Sequence, residues 1–389
     1  MTHTKKTFIS LILLLLAAFH CVAQQRTDTP RRLSGDAYAS ILTCGPGEEF
    51  YEAFGHSALR ICDTTNHIDL VFNYGTYDFT IPHFYLKFAK GQLDYCVAFM
   101  HFDEFMLEYR YFRRSVWEQR LRLDADELER LFDALIDNVQ PQNMYYKYDF
   151  FRDNCATRIR DMIDNAVAEE RQFHASEPAK PATYRAMIYK YTEGTMPWWR
   201  LGVDLLLGAR CDQTMNSAEQ MYIPLEMMAI YDTTPVAGGA ALTETPQQLL
   251  PDSRAPQRAL PSPTLVFWLL FAAVLLLTLL ADRKGWQLTW LDIILFGATG
   301  AVALLVMFLW FFSDHWCAKV NLNLIWANPL FLWLAARVRR RDHVVTLCAT
   351  LLLALFLAGW AWWPQQFNVA VVPMVLTLLT RLVKKLRRQ

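Results

Sequence analysis

Residues Tyr148 to Asp164 read YDFFRDNCATRIRDMID, and the point where this stretch turns into helix decides how the rest of the chain is read. Asp153 has the side chain of an N-cap, so a helix is expected to begin there. Cys155 then lies in the first turn. From it, Ile159, Met162, Ile163 and Ala166 recur at helical spacing and form one apolar stripe. The cysteine is thus the first residue of the buried face, at the positive end of the helix dipole. That environment is expected to lower a thiol pKa. The same position also suits a small core residue capping a stripe, and the surrounding chain has to separate the two readings.

Upstream lie strands. AFGHSALRIC predicts a strand over Phe54 to Cys62, with Leu59 and Ile61 on one face and His56, Ala58 and Arg60 on the other. LVFNYGTYDF is apolar on both faces from Leu70 to Tyr74 and predicts a central strand, interrupted by Asn73 and Gly75. FYLKFAKGQLDYCVAF holds an apolar segment, a glycine turn and a strand over Leu93 to Phe99. An aromatic-rich helix is expected over Phe102 to Tyr111 and a strand over Ser115 to Leu123. A helix follows over Asp124 to Val139, where Leu128, Leu131, Phe132 and Leu135 keep helical spacing. Strands come first and carry a histidine; helices follow and the last carries the cysteine. This is an α+β domain, assigned to residues 34–234.

The outer parts of the chain are apolar. Hydrophobic residues make up 53% of the 389, and the excess lies near the start and after Thr264. Lys5 and Lys6, an apolar run from Phe8 to Phe19, and Cys21-Val22-Ala23 predict a signal peptide over residues 1–23. The domain after it is then exported. Equal numbers of basic and acidic residues, 38 each, give no sign of a nucleic-acid partner. Cys44, Cys62, Cys96, Cys155 and Cys211 fall in the exported part, and an odd number leaves at least one thiol free. No CxxC and no His/Cys cluster at zinc spacing is present, so neither a metal nor another cofactor is expected.

After Ala166 the chain turns polar. TYRAMIYKY predicts a helix, and MPWWRLGVDLLLGARCD reads either as packing or as a lipid-facing lip. Residues 235–263 are rich in Pro, Gln, Ala and Ser and read as a linker. Residues 264–389 then hold apolar segments at about Thr264 to Ala281, Leu291 to Phe312, Leu322 to Ala336, Val344 to Trp363 and Val369 to Val383. They predict an all-α transmembrane bundle of about five helices. Arg283, Lys284, Arg337, Arg339, Arg340, Arg341, Arg381, Lys384, Lys385, Arg387 and Arg388 all fall on one side of such a bundle, leaving Lys319 on the other. By the positive-inside rule the C-terminus is cytoplasmic and the α+β domain periplasmic, at an inner membrane. In the outer loop SDHWCAKVNLNLIWANP, the residues His315, Asn321 and Asn323 are costly at a membrane face. They either touch substrate or hydrogen-bond between helices.

A thiol nucleophile needs a base. His56, His67, His83, His101 and His174 are the histidines of the exported part. Only His56 is set inside a predicted strand, after a glycine that permits close approach. Alone, a strand histidine is more often a satisfied core residue than a catalyst.

GHSALRI, FNYGTYDF with FYLKFAKG, and YDFFRDNCATR together resemble the motifs of the Lnb-type periplasmic domain family, and PWWRLGVDLLLG, MYIP and NLNLIWANP extend the resemblance through the membrane part. The resemblance implies a circularly permuted papain-like (NlpC-like) exported domain. It implies Cys155 as nucleophile and His56 as base; the orienting third group does not follow from it, and Asn73 on the next strand, with Asp78 behind it, is the candidate. The implied reaction is lipoprotein N-acylation. A membrane phospholipid donates a fatty acyl chain to Cys155 as a thioester, and the N-terminal amine of a diacylglyceryl lipoprotein accepts it. Arg158, one turn from Cys155, is placed to meet a lipid phosphate or, with more weight, to pair with Asp161. Two other classes fit parts of the sequence: a cell-wall cysteine peptidase or amidase, and a non-catalytic envelope scaffold. Membrane spans and a short linker favour a lipid substrate over the peptidase, and the reactivity of the Cys155 thiol separates the scaffold.

Overall fold

The computed structural model describes residues 32–77, 80–169, 173, 180–233, 235, 239–254 and 260–387. The expected signal peptide, Asp78, His174 and Arg388 lie outside them. In chain order the first elements are β1 (Tyr38–Cys44), β2 (His56–Asp63), β3 (Ile68–Thr76), α1 (Phe84–Lys90), β4 (Asp94–His101) and α2 (Phe102–Tyr111). Next come β5 (Val116–Arg120), α3 (Ala125–Asn138), β6 (Tyr145–Lys147), α4 (Cys155–Ala166), α5 (Tyr184–Thr192) and α6 (Pro197–Leu206). The rest are α7 (Ser217–Gln220), α8 (Pro224–Thr233), β7 (Gln247–Leu250), α9 (Pro263–Lys284), α10 (Thr289–Phe312), α11 (Leu330–Ala336), α12 (His343–Ala358) and α13 (Val371–Arg387).

The chain divides into two compact units. The first holds residues up to Phe88, Leu93–Glu177 and Asn216–Arg254. Its frame is a seven-stranded sheet in the order β6-β4-β3-β2-β1-β5-β7, in which each paired strand runs antiparallel to its neighbour. The period-2 rule sorts its side chains onto two faces. Ile41, Leu59, Ile61, Phe72 and Tyr74 pack with Leu131 and Leu135 of α3 and with Ile159 and Ile163 of α4. Leu42, Ala58 and Val71 point the other way, onto Phe105, Met106 and Tyr109 of α2. The α+β reading therefore holds, and β3 is interior, as its two apolar faces require.

Two parts of this unit differ from expectation. β1, unread in the sequence, lies between β2 and β5. Six of its seven residues are buried, so its one-letter pattern carries no alternation. The stretch read as a linker also contributes to the sheet. Gln247–Leu250 pairs with β5, and Leu242 and Thr243 are each 1% exposed. An edge strand of four residues is too short to carry a pattern.

The second unit holds Ala89–Gln92, Pro178–Met215 and Ala255–Gln389. α5, α6 and the segment Ala209–Asp212, assigned by composition to the exported domain, thus group with the apolar helices. Buried ion pairs explain the grouping. Arg185 of α5 donates to Asp204 of α6 at 3.0 Å and to Asp212 at 2.9 Å. Asn368 donates to the other Asp204 oxygen at 2.8 Å. Trp198 of α6 donates to Pro261 O at 2.9 Å and packs near Phe267 of α9, so the face of α6 that these contacts fix serves packing.

α9 and α10 are long and apolar enough to cross a membrane, with mean hydropathy 2.6 and 2.4. α12 is apolar but shorter. Arg381 of α13 binds both oxygens of Asp292 on α10, at 2.6 and 3.1 Å, and Thr278 of α9 at 2.8 Å. One guanidinium thus ties three helices, which a charge in apolar surroundings requires if it is to stay ionised.

Candidate active site

α4 begins one residue later than Asp153 predicts. Asn154 is the N-cap: its side chain accepts from the amides of Ala156 and Thr157, while Thr157 Oγ1 accepts from the Asn154 amide. The Asn154 amide group also donates to the carbonyls of Phe150 and Tyr222. Asp153 is left to bind Arg158, at 2.5 and 2.7 Å. Arg158 therefore pairs with Asp153 and not with Asp161, which binds Arg160 at 2.8 Å. An acidic group just before the cap sits closer to the Arg158 head than one three residues along. The Arg158 guanidinium also lies over the Tyr146 ring, 4.0 Å from its centre.

Cys155 is the first helical residue and 7% exposed. Three backbone amides reach its sulfur: its own, that of Ala156 and that of Ser57 on β2. They favour the thiolate, but burial outweighs them and pushes the thiol up to about 11. The expectation of a lowered pKa is thus reversed. The helix start supplies the amides, and the loss of water costs the anion more than they return.

His56 opens β2. Its Nε2 lies 2.5 Å from Asn73 Oδ1 on β3. A carboxamide oxygen only accepts, so Nε2 carries the proton and Nδ1 keeps the lone pair. Burial drives the imidazole down to about 4, with the Arg114 charge adding to the shift and the Asn73 hydrogen bond opposing it. At neutral pH the histidine is uncharged and can accept a proton. Gly55, just before it, has φ +81, and a Cβ there would stand 2.4 Å from Cys44 O. Only glycine lets β2 start at this point.

The structure brings His56 and Asn73 together, and it brings Cys155 to the amide of Ser57, the residue after His56. His67, His83 and His101 are exposed. Asn321 and Asn323 belong to the second unit and are 0% and 1% exposed. Asn321 donates to Leu205 O at 2.9 Å, Asn323 to Asp204 O at 3.0 Å, and Asn323 Oδ1 accepts from Trp326 at 2.8 Å. These bonds join the outer loop to α6. His315 N donates to Ser313 Oγ at 3.4 Å. Among the described residues no group of three His, Cys, Asp or Glu is placed to hold a metal.

Three contributors were not legible as site residues. The Ser57 amide is one, because backbone donors leave no mark in a sequence. Gly75 is another: it has φ +93, lies where the β3–β4 register shifts, and a Cβ there would come within 3.9 Å of Tyr148 and 4.0 Å of Cys155. A glycine inside a strand pattern signals such an approach. The third is the stack of Tyr148 on Tyr95, 4.4 Å between ring centres.

Residues 27–190 match the family described as the Lnb N-terminal periplasmic domain, and residues 255–388 match the Lnb transmembrane domain. No curated protein and no solved structure matches the chain.

Proposed function

The chain belongs to the Lnb family through both of its halves, a periplasmic domain and a transmembrane domain, and on that premise we propose that it is a lipoprotein N-acyltransferase acting through Cys155. The observation that carries the proposal is the polar set at the start of β2: neutral His56 oriented by Asn73, with the next amide on the Cys155 sulfur. A permuted papain-like reading of the domain agrees with this order, histidine on a strand before cysteine at a helix start.

The chemistry starts from two neutral groups. The Cys155 thiol gives its proton to His56 Nδ1 as the sulfur attacks the ester carbonyl of a phospholipid. Amides near the sulfur would hold the oxyanion that forms. On collapse the ester C–O bond breaks. His56 returns the proton to the departing glycerol oxygen, and a lysophospholipid leaves an acyl thioester on Cys155. The N-terminal amine of a diacylglyceryl lipoprotein then attacks that thioester. His56 takes one amine proton and delivers it to the leaving sulfur, so the amide forms and the thiol is restored. Asn73 fixes the ring and its tautomer throughout. Arg158 would meet a lipid phosphate only in competition with Asp153. Five spans, with the C-terminus in the cytoplasm and the first unit in the periplasm of an inner membrane, complete the proposal.

The test is to trap the acyl group. The full-length protein in phospholipid vesicles should carry a fatty acyl adduct on Cys155 that hydroxylamine removes. Cys155→Ala and Cys155→Ser should lower N-acylation of a diacylglyceryl lipopeptide by at least about a thousandfold, since nucleophile and base act as a unit. Undiminished N-acylation by Cys155→Ala would sink the thiol mechanism.

A further inference from the structure

α1 has no buried residue. Tyr85 is 80% exposed, Leu86 50% and Phe88 51%. A helix of FYLKFAK with this much apolar surface in water has no reason to persist unless something other than water covers it. Its C-terminal end says what does. Ala89–Gln92 group with the second unit, where Lys90 O accepts from the Asp314 amide at 2.7 Å and Gln92 donates to Asp314 Oδ2 at 2.9 Å. Asp314 comes two residues after Phe312, the last residue of the membrane-length helix α10. Phe311 and Phe312 are 58% and 69% exposed. The end of α1 is therefore tied to the level at which α10 leaves the apolar layer. Lys87 and Lys90 flank the apolar residues, as in helices that lie in a lipid interface.

From α1 a line of rings runs inward. Phe84 lies 5.9 Å from Tyr77, Tyr77 5.2 Å from Tyr95, and Tyr95 4.4 Å from Tyr148, ring centre to ring centre. At its far end the missing Cβ of Gly75 leaves space between Tyr148 and Cys155. We infer that α1 is a lipid-entry lip: Tyr85, Leu86 and Phe88 dip into the bilayer surface, and the ring line guides an acyl chain to Cys155. This deepens the acyltransferase reading and rests on it for the final step only. The occupant of the exposed face is the membrane lipid itself. No chemistry is added: the lip delivers the ester that the thiol attacks.

The experiment uses the full-length protein in phosphatidylethanolamine-containing vesicles. A photo-crosslinking benzoylphenylalanine replaces Tyr85 or Leu86, and for comparison Tyr145, which is 60% exposed on β6. Lipid adducts are expected at 85 and 86 and not at 145; equal labelling at all three overturns the lip. This readout needs no activity, so it decides the lip even if Cys155 proves never to be acylated, an outcome that would instead sink the proposed reaction. A second arm compares donors. Tyr85→Asp with Leu86→Asp should slow Cys155 acylation from vesicle lipid by about tenfold or more, because two charges now face the interface. Acylation from a water-soluble short-chain thioester should stay within about twofold of wild type. Equal slowing with both donors, or no slowing with vesicle lipid, overturns the proposal.

Discussion

Arg185 in the second unit, fully buried, and His56 in the first, half-buried, are both polar side chains set into packed surroundings, yet they are partnered very differently. Arg185 donates to Asp204, to Asp212 and to the carbonyls of Leu207 and Gly208. Asp204 in turn accepts from Arg185, Tyr189 and Asn368. Among the described residues His56 has one side-chain partner, Asn73. A buried charge whose three nitrogens all donate to acceptors is fixed in one protonation state and serves the fold. A neutral imidazole with one nitrogen held and the other bearing a lone pair is oriented and still able to take a proton. The first arrangement is that of a structural group, and the second is the one the proposed base requires.

Removing a partner from the saturated cluster should have the largest effect on stability. Asp204→Ala leaves Arg185 with fewer acceptors in an apolar setting and should cost about 3–5 kcal/mol. It would be read as a lower thermal midpoint of the full-length protein in detergent. Replacing the whole set, Arg185→Met with Asp204→Leu and Asp212→Leu, should cost less than the single change. A single variant as stable as wild type would show that the cluster is not structural.

The next effect falls on the half-filled set. Asn73→Ala should slow Cys155 acylation by about ten- to hundredfold with little loss of stability, since it frees the ring without removing the base. The pH profile sharpens the point. The proposed mechanism uses neutral His56, so activity should be fully present at neutral pH and lost as pH falls through about 4. Asn73→Asp places a carboxylate beside the ring and should move that acid limb upward by one unit or more. An unmoved limb would exclude His56 as the titrating base.

The smallest effect on activity is expected in the outer loop. With Asn321 and Asn323 bound to backbone carbonyls of α6, alanine at His315, Asn321 and Asn323 should lower stability by about 1–2 kcal/mol. The rate per folded molecule should stay within about twofold. A large rate loss in a normally stable variant would place the loop in the reaction and erase the contrast between the two clusters.

Periodicity and breakers carried most of the secondary structure. The strand over β2, the helix over α2 and the capped helix α3 follow from period, caps and glycines alone, because these are short-range effects. The residues of the candidate site were legible for the same reason. A glycine before His56, an asparagine inside a strand, and a cysteine at the first turn of an apolar stripe all break a local pattern.

What the amino-acid sequence could determine was the alternation of faces, the apolar helices and the identity of the polar exceptions. The tertiary structure alone decided how those exceptions behave. Cys155 sits at a helix start, which favours the thiolate, and under a packed core, which disfavours it more. Arg158 took Asp153 because the N-cap moved to Asn154. β1 and β7 became strands because neighbours had open edges, and α5 and α6 grouped with the apolar helices because Asp204 and the α6 carbonyls bind Asn368, Asn321 and Asn323. Each outcome sums contributions from residues far apart in the chain. Desolvation and hydrogen bonding act through space, over distances that no window of sequence contains.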